Sequence, residues 1–527
     1  MSMVSNRSNN YGTSRLISPV QAGFATRSRV PALALGSGPW GLPVLAPTWP
    51  IGQNLLVLGP PRSGKGASFF MPALLGLPAQ PNPRPSCVVS DPKGELLAIS
   101  RERLEASGYQ VKIVSFDRPE ISDSWNPLSW LDPADPGDEI SYSGAQQLAQ
   151  AMIPTHRGER EPFWGSMSRL IMSASAVLAY RRGQSRGRPG TLADALALTY
   201  MAASDPASLA AAAQGLDSWA ADQLGIVASA TAGDKRLAGN ISVDTIARFN
   251  TWTTPGMLRI LGDSDWTWSS VIDQPTVVFV LGSASHASHQ CVVWGSLIAA
   301  AHHVQRRAGR LYRPLWVLLD EVGNVGEIPG LLDALATLTG AGVSTCLGLQ
   351  SIRQLNDVYG TDKASAIADA SHVVVAFPGL GHDSADWVSD RLGMATATTH
   401  TRQTGRDGSV SFGPQQFQRK VLLADEVSTL HRSRIIVQRG GRRAALITAR
   451  PYYNNPRWRA EARAGDPRHP QIAERLEAMR HSQTGESPNL EELAQRLLGR
   501  PFVPPDHAGP EPTIDPADLG ALLRGDR

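Results

Sequence analysis

The apolar positions near the N-terminal end predict a strand, a loop and a helix in direct succession. Four apolar residues, Leu55 to Leu58, precede a glycine-rich segment, and apolar residues then recur at helical spacing between Phe69 and Leu75. A short continuous apolar run bounded by turn residues is typical of a strand that is buried on both faces. The segment that follows it is therefore expected to turn sharply and to enter a helix.

Further apolar runs of strand length occur on both sides of a central region. The predicted strands lie at 86–95, where the strand ends in a charged turn, and at 110–116, 275–281, 314–321, 342–350 and 371–377. Helical patterns lie at 95–107, 290–307, 328–339 and 384–392, and a hairpin or edge pair is predicted at 435–447. This alternation predicts an α/β fold with a mainly parallel sheet.

The central region has a different pattern, because alanine is dense, strand signals disappear and amphipathic helical periods dominate. Strands resume after it, so we interpret it as an all-α domain inserted into the α/β domain. The predicted segments are a disordered N-terminus at 1–29, the two parts of the α/β domain at 30–137 and 266–455, the insertion at 138–265, and a C-terminal region at 456–527 that is helical and then proline-rich and acidic.

Composition limits the binding surfaces and the cellular compartment that can be expected for this chain. The formal net charge is only +3, so a DNA-binding surface has to be local rather than global. The three cysteines are far apart in apolar runs, which predicts buried, reduced thiols and a cytoplasmic protein. No window reaches the roughly 18–20 uninterrupted apolar residues of a membrane span. The sequence thus predicts a soluble chain without a transmembrane segment.

The glycine-rich segment has the features of a phosphate-binding loop. Glycines at both ends permit a tight turn, and the loop N–H groups and the helix N-terminus then face an anion together. Lys65 can reach the β- and γ-phosphates of a nucleotide. Gly66 departs from the GxxxxGK[ST] pattern, because it stands where a hydroxyl normally meets Mg²⁺. The predicted nucleotide-binding residues are Gly59, Pro60, Pro61, Arg62, Ser63, Gly64, Lys65, Gly66 and Ala67.

Carboxylates at a later strand end supply the second half of a nucleotide site. Asp320 and Glu321 follow the apolar run that begins at Leu315, and ligands of open α/β sheets bind at the carboxyl ends of strands. Asp320 would hold Mg²⁺, directly or through water, and Glu321 would polarise the water that attacks the γ-phosphate. Gln350 ends the next strand and can touch the γ-phosphate or that water.

Several motifs resemble those of the coupling ATPases of type IV secretion and conjugation, the VirD4/TraG group. They occur in the family's order over roughly residues 50 to 455, and the GKG ending of the loop is itself similar to this group. The segments are GPPRSGKGASFFMPALL, SCVVSDPKGELLAISRERLEASGYQVKIVSFD, SWNPLSW, WVLLDEVGNVGEIPGLLDALATLTGAGVSTCLGLQSIRQLNDVYG and VLLADEVSTL.

The resemblance implies a RecA-like, homohexameric P-loop ATPase that uses ATP and Mg²⁺. It implies passage of single-stranded DNA, with its attached relaxase, to a type IV secretion channel at the inner face of the cell membrane. It assigns Lys65 to the phosphates, Asp320 to the metal, Glu321 as the catalytic carboxylate and Gln350 as the sensor. Many members begin with transmembrane helices, and none is predicted here, so either membrane docking needs a separate anchor protein or this is a soluble variant.

Other assignments remain open at the level of sequence. Members often place a basic residue in the turn at 337–342, which here has none, so Arg353 and Arg391 are candidates for an arginine finger or for structural ion pairs. The segment 402–419 is either a DNA-contacting loop or a surface loop. The charged turn at 91–95 either contacts nucleotide or a neighbouring subunit, or caps its helix.

Two other functions compete with a single-stranded DNA motor. An FtsK/HerA-like motor on double-stranded DNA would share the same nucleotide site, although the DPKGE and NPL segments and the helical insertion favour a coupling protein. A nucleotide-dependent adaptor that recruits protein substrates through the insertion and the acidic tail is the third hypothesis. The missing hydroxyl at Gly66 and the unassigned finger favour that adaptor.

Overall fold

A computed structural model describes residues 13–133, 139–154, 162–404 and 410–464. Within these ranges the strands are β1 Ala32–Ser37, β2 Pro43–Pro47, β3 Leu55–Leu58, β4 Ser86–Ser90, β5 Gln110–Ser115, β6 Thr276–Leu281, β7 Leu315–Leu319, β8 Val343–Leu349, β9 Val373–Ala376, β10 Met394–Thr404, β11 Val410–Lys420, β12 Arg434–Arg439 and β13 Ala445–Thr448. The chain forms two compact units.

In chain order, the α-helices of the described ranges lie in three groups: before β5, between β5 and β6, and after β6. They are α1 Met71–Gly76, α2 Glu95–Ala106, α3 Tyr142–Met152, α4 Pro162–Ser185, α5 Leu192–Ser204, α6 Pro206–Ala213, α7 Ser218–Thr231, α8 Lys235–Phe249, α9 Pro255–Leu261, α10 Trp268–Asp273, α11 Ala287–Ala308, α12 Leu331–Thr337, α13 Arg353–Tyr359, α14 Thr361–Ala370, α15 His382–Leu392, α16 Ala424–Ser428 and α17 Pro456–Ala464. None of these helices combines the length and apolar character needed to cross a bilayer.

The first unit contains residues up to Pro85, Pro314–Gly323 and Gly342–Ala464. Its sheet has the strand order β2-β1-β13-β12-β9-β3-β8-β7. The strands β9, β3, β8 and β7 are parallel neighbours, and every residue of β3, β8 and β9 is buried. Burial on both faces explains why these strands are continuous apolar runs in the sequence.

The antiparallel half of this sheet differs from the sequence expectation in two places. The residues at 435–447 do form the predicted hairpin, since β12 pairs with β13 in antiparallel register, but the hairpin is not at the sheet edge, because β1 pairs with β13 and β2 pairs with β1. The N-terminal residues were expected to be disordered up to residue 29, but residues 13–29 are described and Phe24 is buried. Ala25 bridges to Leu45 of β2, so this polar stretch is ordered by backbone pairing that composition does not reveal.

The second unit contains Ser86–Arg313 and Asn324–Ala341. Strand β6 lies between β4 and β5, and both pairs are parallel. Helices α3 to α10 follow one another between β5 and β6, which is the inserted helical region. Its helix α4 packs against α5, α7 and α8, and its residues 171–179 are all buried. A helix that is apolar all round is expected to lie at the centre of such a bundle.

The NPL segment has a structural role in the second unit. The Asn126 side chain donates to the Gly190 carbonyl and accepts from the backbone N–H groups of Leu128 and Leu192. It therefore ties the segment before α3 to the start of α5. The thiols of Cys87, Cys291 and Cys346 are buried, and none of these three residues forms a disulfide. Burial raises the pKa of the Cys291 thiol to about 12, so it stays protonated at neutral pH.

Candidate nucleotide-binding site

The predicted site residues follow three adjacent strands of the first unit. Strand β8 lies between β3 and β7 in parallel register, so the carboxyl ends of all three meet at one edge of the sheet. Gly59 follows β3, Asp320 follows β7 and Gln350 follows β8. The Gly59 N–H donates to the Leu349 carbonyl at 2.9 Å, which fixes the start of the loop against the end of β8.

The glycine-rich loop turns through left-handed backbone conformations at Arg62, with a φ of 64°, and at Gly64, with a φ of 94°. A positive φ is unfavourable for most side chains, so the loop is held by its surroundings at Arg62 and by glycine at Gly64. The Ser63 N–H donates to the Pro60 carbonyl at 3.1 Å. A π-helical turn, Gly66–Phe70, then leads into α1.

The two outer glycines of the loop differ in the space around them. A Cβ on Gly59 would lie 2.6 Å from Ser63 Oγ and 3.1 Å from Phe377 Cβ, whereas a Cβ on Gly66 would meet no heavy atom within 4 Å. Gly59 is therefore required by close packing. Gly66 leaves room for a side chain at the position where loops of the GxxxxGK[ST] pattern carry a hydroxyl.

We predict opposite effects on stability for alanine at these two glycines. Gly59→Ala should lower the free energy of unfolding by about 1–3 kcal/mol, because an overpacked position must shift its neighbours. Gly66→Ala should be neutral or stabilising by up to about 1 kcal/mol, because alanine favours helix more than glycine does. Urea unfolding of both variants measures the difference. Equal destabilisation by the two substitutions would contradict this account of the loop.

Lys65 contacts both predicted carboxylates. Its side chain is only 9% exposed, and Nζ lies 3.7 Å from Asp320 Oδ1 and 3.9 Å from Glu321 Oε2. Nζ also donates to the Asp320 backbone carbonyl at 2.7 Å. Residues 255 positions apart in the chain thus lie within one ion-pair cluster. The ammonium group offsets two adjacent negative charges that would otherwise repel each other.

Two glutamine side chains hold the Glu321 carboxylate. Gln350 Nε2 donates to Oε2 at 2.6 Å, as expected for a residue at the end of β8. Gln354 Nε2 donates to Oε1 at 2.8 Å, and sequence reasoning did not identify this residue. The available signal was an amide four residues after Gln350, at the start of the next helix. The Glu321 side chain is 11% exposed, so these hydrogen bonds are largely shielded from water.

The remaining loop residues form the outer part of the site. Pro61 and Arg62 are exposed, whereas Pro60, Ser63 and Ala67 are half-buried. The Ser63 hydroxyl faces the backbone of Gly59. The exposed loop residues are therefore those whose side chains are available to a ligand.

A hard divalent cation fits the oxygen donors at the end of β7. The Asp320 side chain is 30% exposed, although its Oδ1 atom is itself buried, so the carboxylate is only partly accessible. No group of three or more histidine, cysteine or acidic residues able to hold a metal occurs in the described ranges. Mg²⁺ does not need such a group, since it usually binds through one or two carboxylates, water and substrate phosphates.

The residues whose roles the sequence leaves open make contacts within the protein. Asp91 Oδ2 accepts from the Leu97 N–H at 2.8 Å, so this part of the charged turn anchors the start of α2. Arg353 pairs with Asp383. The Arg391 guanidinium lies 4.9 Å from the centre of the Trp387 ring and 3.7 Å from Asp369.

The segment 402–419 lies largely in the ribbon formed by β10 and β11, and residues 405–409 fall outside the described ranges. At its base Arg419 pairs with Glu426, and Lys420 pairs with Asp386 and Asp390. These two cations therefore anchor the ribbon to the body of the first unit. Whether the segment contacts DNA stays a prediction.

The strand, loop and carboxylate arrangement defines a P-loop NTPase with a RecA-like core and a helical insertion, as the sequence predicted. A family model described as "Type IV secretory system Conjugative DNA transfer" matches residues 28–475. Because this match covers most of the chain, the protein belongs to that family. The resemblance to the VirD4/TraG coupling proteins is confirmed.

Curated relatives agree with the family match. The conjugal transfer protein TraG of Escherichia coli is 24% identical over 400 residues, which cover 71% of this chain and 61% of the relative. TraG of Rhizobium radiobacter is 21% identical over 369 residues, covering 68% and 56%. The chain thus spans about three fifths of the length of these relatives.

Solved structures show the same fold. The plasmid coupling protein TrwB in complex with the ATP analogue ADPNP superposes with a TM-score of 0.58 at 17% identity, covering 85% of this chain and 96% of TrwB. TrwB in complex with ADP and Mg²⁺ gives a TM-score of 0.57 at 18% identity, covering 83% and 94%.

Proposed function

We propose that this protein is an ATP-hydrolysing coupling motor that drives single-stranded DNA, with its bound relaxase, towards a type IV secretion channel. The observation that carries the proposal is the convergence of Lys65 with Asp320 and Glu321 at one edge of the sheet. A phosphate-binding loop beside two carboxylates is the arrangement that phosphoryl transfer to water requires. Family membership supports the nature of the cargo.

Each residue contributes a separate electrostatic or positioning effect. Lys65 binds the β- and γ-phosphate oxygens and offsets the charge that develops there, together with the loop N–H groups. Asp320 holds Mg²⁺, which neutralises phosphate charge when bound. Glu321 orients the attacking water, and Gln350 contacts both this carboxylate and the γ-phosphate. Gln350 directly follows β8. A shift of its side chain on loss of the γ-phosphate is therefore passed on to that strand.

The proposal includes a homohexameric ring. Phosphoryl transfer benefits from an additional cation, and an arginine from a neighbouring copy supplies one in many NTPases. Arg353 is the better candidate of the two considered, because its side chain is 70% exposed whereas that of Arg391 is 27% exposed. In the ring, a few cationic side chains from each copy are sufficient to hold one DNA strand.

The proposed partners follow from family membership. They are single-stranded DNA, relaxosome proteins and channel components of the secretion system. We propose that the protein acts at the cytoplasmic face of the membrane, where DNA enters such a channel.

The test of this proposal is ATP turnover with single-stranded DNA, with duplex DNA of the same sequence, and without DNA. We expect strong stimulation by single-stranded DNA alone. Preferential stimulation by duplex DNA would overturn the proposal in favour of an FtsK/HerA-like motor. DNA-independent turnover together with tight relaxase binding would overturn it in favour of an adaptor. The Lys65→Ala variant controls for contaminating ATPases.

A further inference from the structure

Gln354 lies in the first turn of α13 and uses both ends of its side-chain amide. Nε2 donates to Glu321 Oε1 at 2.8 Å. Oε1 accepts from the Gln350 N–H at 2.8 Å and from the Ser351 N–H at 3.4 Å. Since Oε1 faces two backbone donors, the orientation of the amide is fixed, and Nε2 must face the carboxylate.

These contacts give each oxygen of the Glu321 carboxylate its own amide donor. Oε1 accepts from Gln354 and Oε2 accepts from Gln350. The last torsion of a glutamate side chain has a broad energy profile, so a single hydrogen bond leaves the carboxylate plane free to turn. Two donors from separate positions, one at the end of β8 and one on α13, fix that plane.

The side-chain oxygen of Gln354, which accepts from the Gln350 backbone N–H, links the Glu321 carboxylate to Gln350. The residue that holds Glu321 Oε1 also holds the Gln350 backbone N–H. A Cβ on Gly323 would lie 2.9 Å from Gln354 Nε2, so the turn after Glu321 leaves space for this side chain. Gln354 thus contacts the segments that carry both the proposed catalytic carboxylate and the proposed sensor.

We infer that Gln354 is a positioning residue that holds Glu321 in the orientation required for water attack. This inference rests on the proposed function, because it assigns Gln354 a role in the hydrolysis proposed above. A misplacement of about 1 Å in a reacting group can cost about a hundredfold in rate. Loss of the Gln354 donor should therefore reduce the turnover number rather than the affinity for nucleotide.

The substitution Gln354→Glu tests the donor end of the side-chain amide separately from its acceptor end. Glutamate keeps an oxygen that accepts from the N–H groups of Gln350 and Ser351, but it replaces the donor to Glu321 with an anion. The matched control is Asn356→Asp, which makes the same chemical change at an exposed residue two positions further along α13. Both variants add one negative charge to the same helix.

The experiment measures ATP turnover, binding of a fluorescent ATP analogue and thermal unfolding for the full-length protein. We expect Gln354→Glu to lower kcat by about ten- to a hundredfold, with KM and analogue affinity unchanged within about twofold. Asn356→Asp should leave kcat unchanged. In single-turnover measurements on a Glu321→Gln background, Gln354→Glu should cause no further loss, because it acts through Glu321.

A wild-type kcat for Gln354→Glu would overturn the inference. So would a loss of equal size in the Glu321→Gln background, or a loss of nucleotide affinity in place of turnover, since each indicates a structural role. If the wild-type protein itself does not hydrolyse ATP, the proposed function fails and the inference fails with it. If the wild type hydrolyses ATP and Lys65→Ala does not, any failure belongs to the Gln354 inference alone.

Discussion

Replacement of Lys65 by alanine should abolish ATP turnover and weaken nucleotide binding. Its ammonium group is the cation that the structure brings to both carboxylates, at 3.7 Å from Asp320 and 3.9 Å from Glu321. Removing one preorganised donor from a charge-stabilising site costs about 10²–10³ in rate. For Lys65 we expect at least this loss, measured as steady-state ATP hydrolysis. Equilibrium binding of a fluorescent ATP analogue should show the weaker affinity.

Two further substitutions control for effects on folding. Lys65→Met keeps most of the volume and the apolar stem of the side chain, so it tests the charge without opening a cavity. Lys363→Ala removes a lysine from an exposed position on α14 and should leave turnover unchanged. Wild-type turnover in Lys65→Ala, in a protein that melts at the wild-type temperature, would end the nucleotide-site assignment.

The central part of the site was predictable because it depends on strand order. Apolar runs locate β3, β7 and β8, and parallel strands bring their carboxyl ends to one edge of a sheet. Asp320, Glu321 and Gln350 closely follow such ends, and the glycine-rich loop carries Lys65 from the end of β3 to the same site. Hydrophobic pattern, loop motif and spacing were therefore sufficient to bring the four residues together.

Gln354 was not predictable in the same way, because its role depends on the direction of one side chain on a helix. The sequence shows an amide at the start of α13 but not that its Nε2 points back to Glu321. The order of residues 13–29 was missed for a related reason. A bridge such as that between Ala25 and Leu45 is made by backbone groups, and these do not appear in composition.

The loop shows how a departure from a motif can be interpreted physically. Gly66 has open space beside its Cα, so its missing side chain is not imposed by packing. Gly59, in contrast, has no room for a Cβ. The sequence presents both positions as glycines of one motif, and only the surrounding atoms distinguish a glycine that packing requires from one that it does not.

Replacement of Glu321 by glutamine should leave nucleotide binding intact and reduce hydrolysis by about 10²–10⁴. An amide cannot serve as the carboxylate that polarises the attacking water, although Lys65 and the loop still bind the phosphates. Steady-state hydrolysis and binding of the ATP analogue measure the two effects separately. Asp357→Asn, at an exposed carboxylate on α13, is the matched control and should retain wild-type turnover.

The surroundings of Glu321 add a second, structural expectation for the same variant. The Nε2 atoms of Gln350 and Gln354 each donate to one oxygen of Glu321. A glutamine at 321 has only one such oxygen, so its own NH₂ group would face the NH₂ group of Gln350 or of Gln354. A buried donor left without an acceptor costs about 1–3 kcal/mol, and Tm should fall accordingly. Adding Gln354→Glu supplies an acceptor for the new amide, so the double variant should recover Tm without recovering hydrolysis. A Tm of the double variant no higher than that of Glu321→Gln alone would contradict this account of the hydrogen bonds.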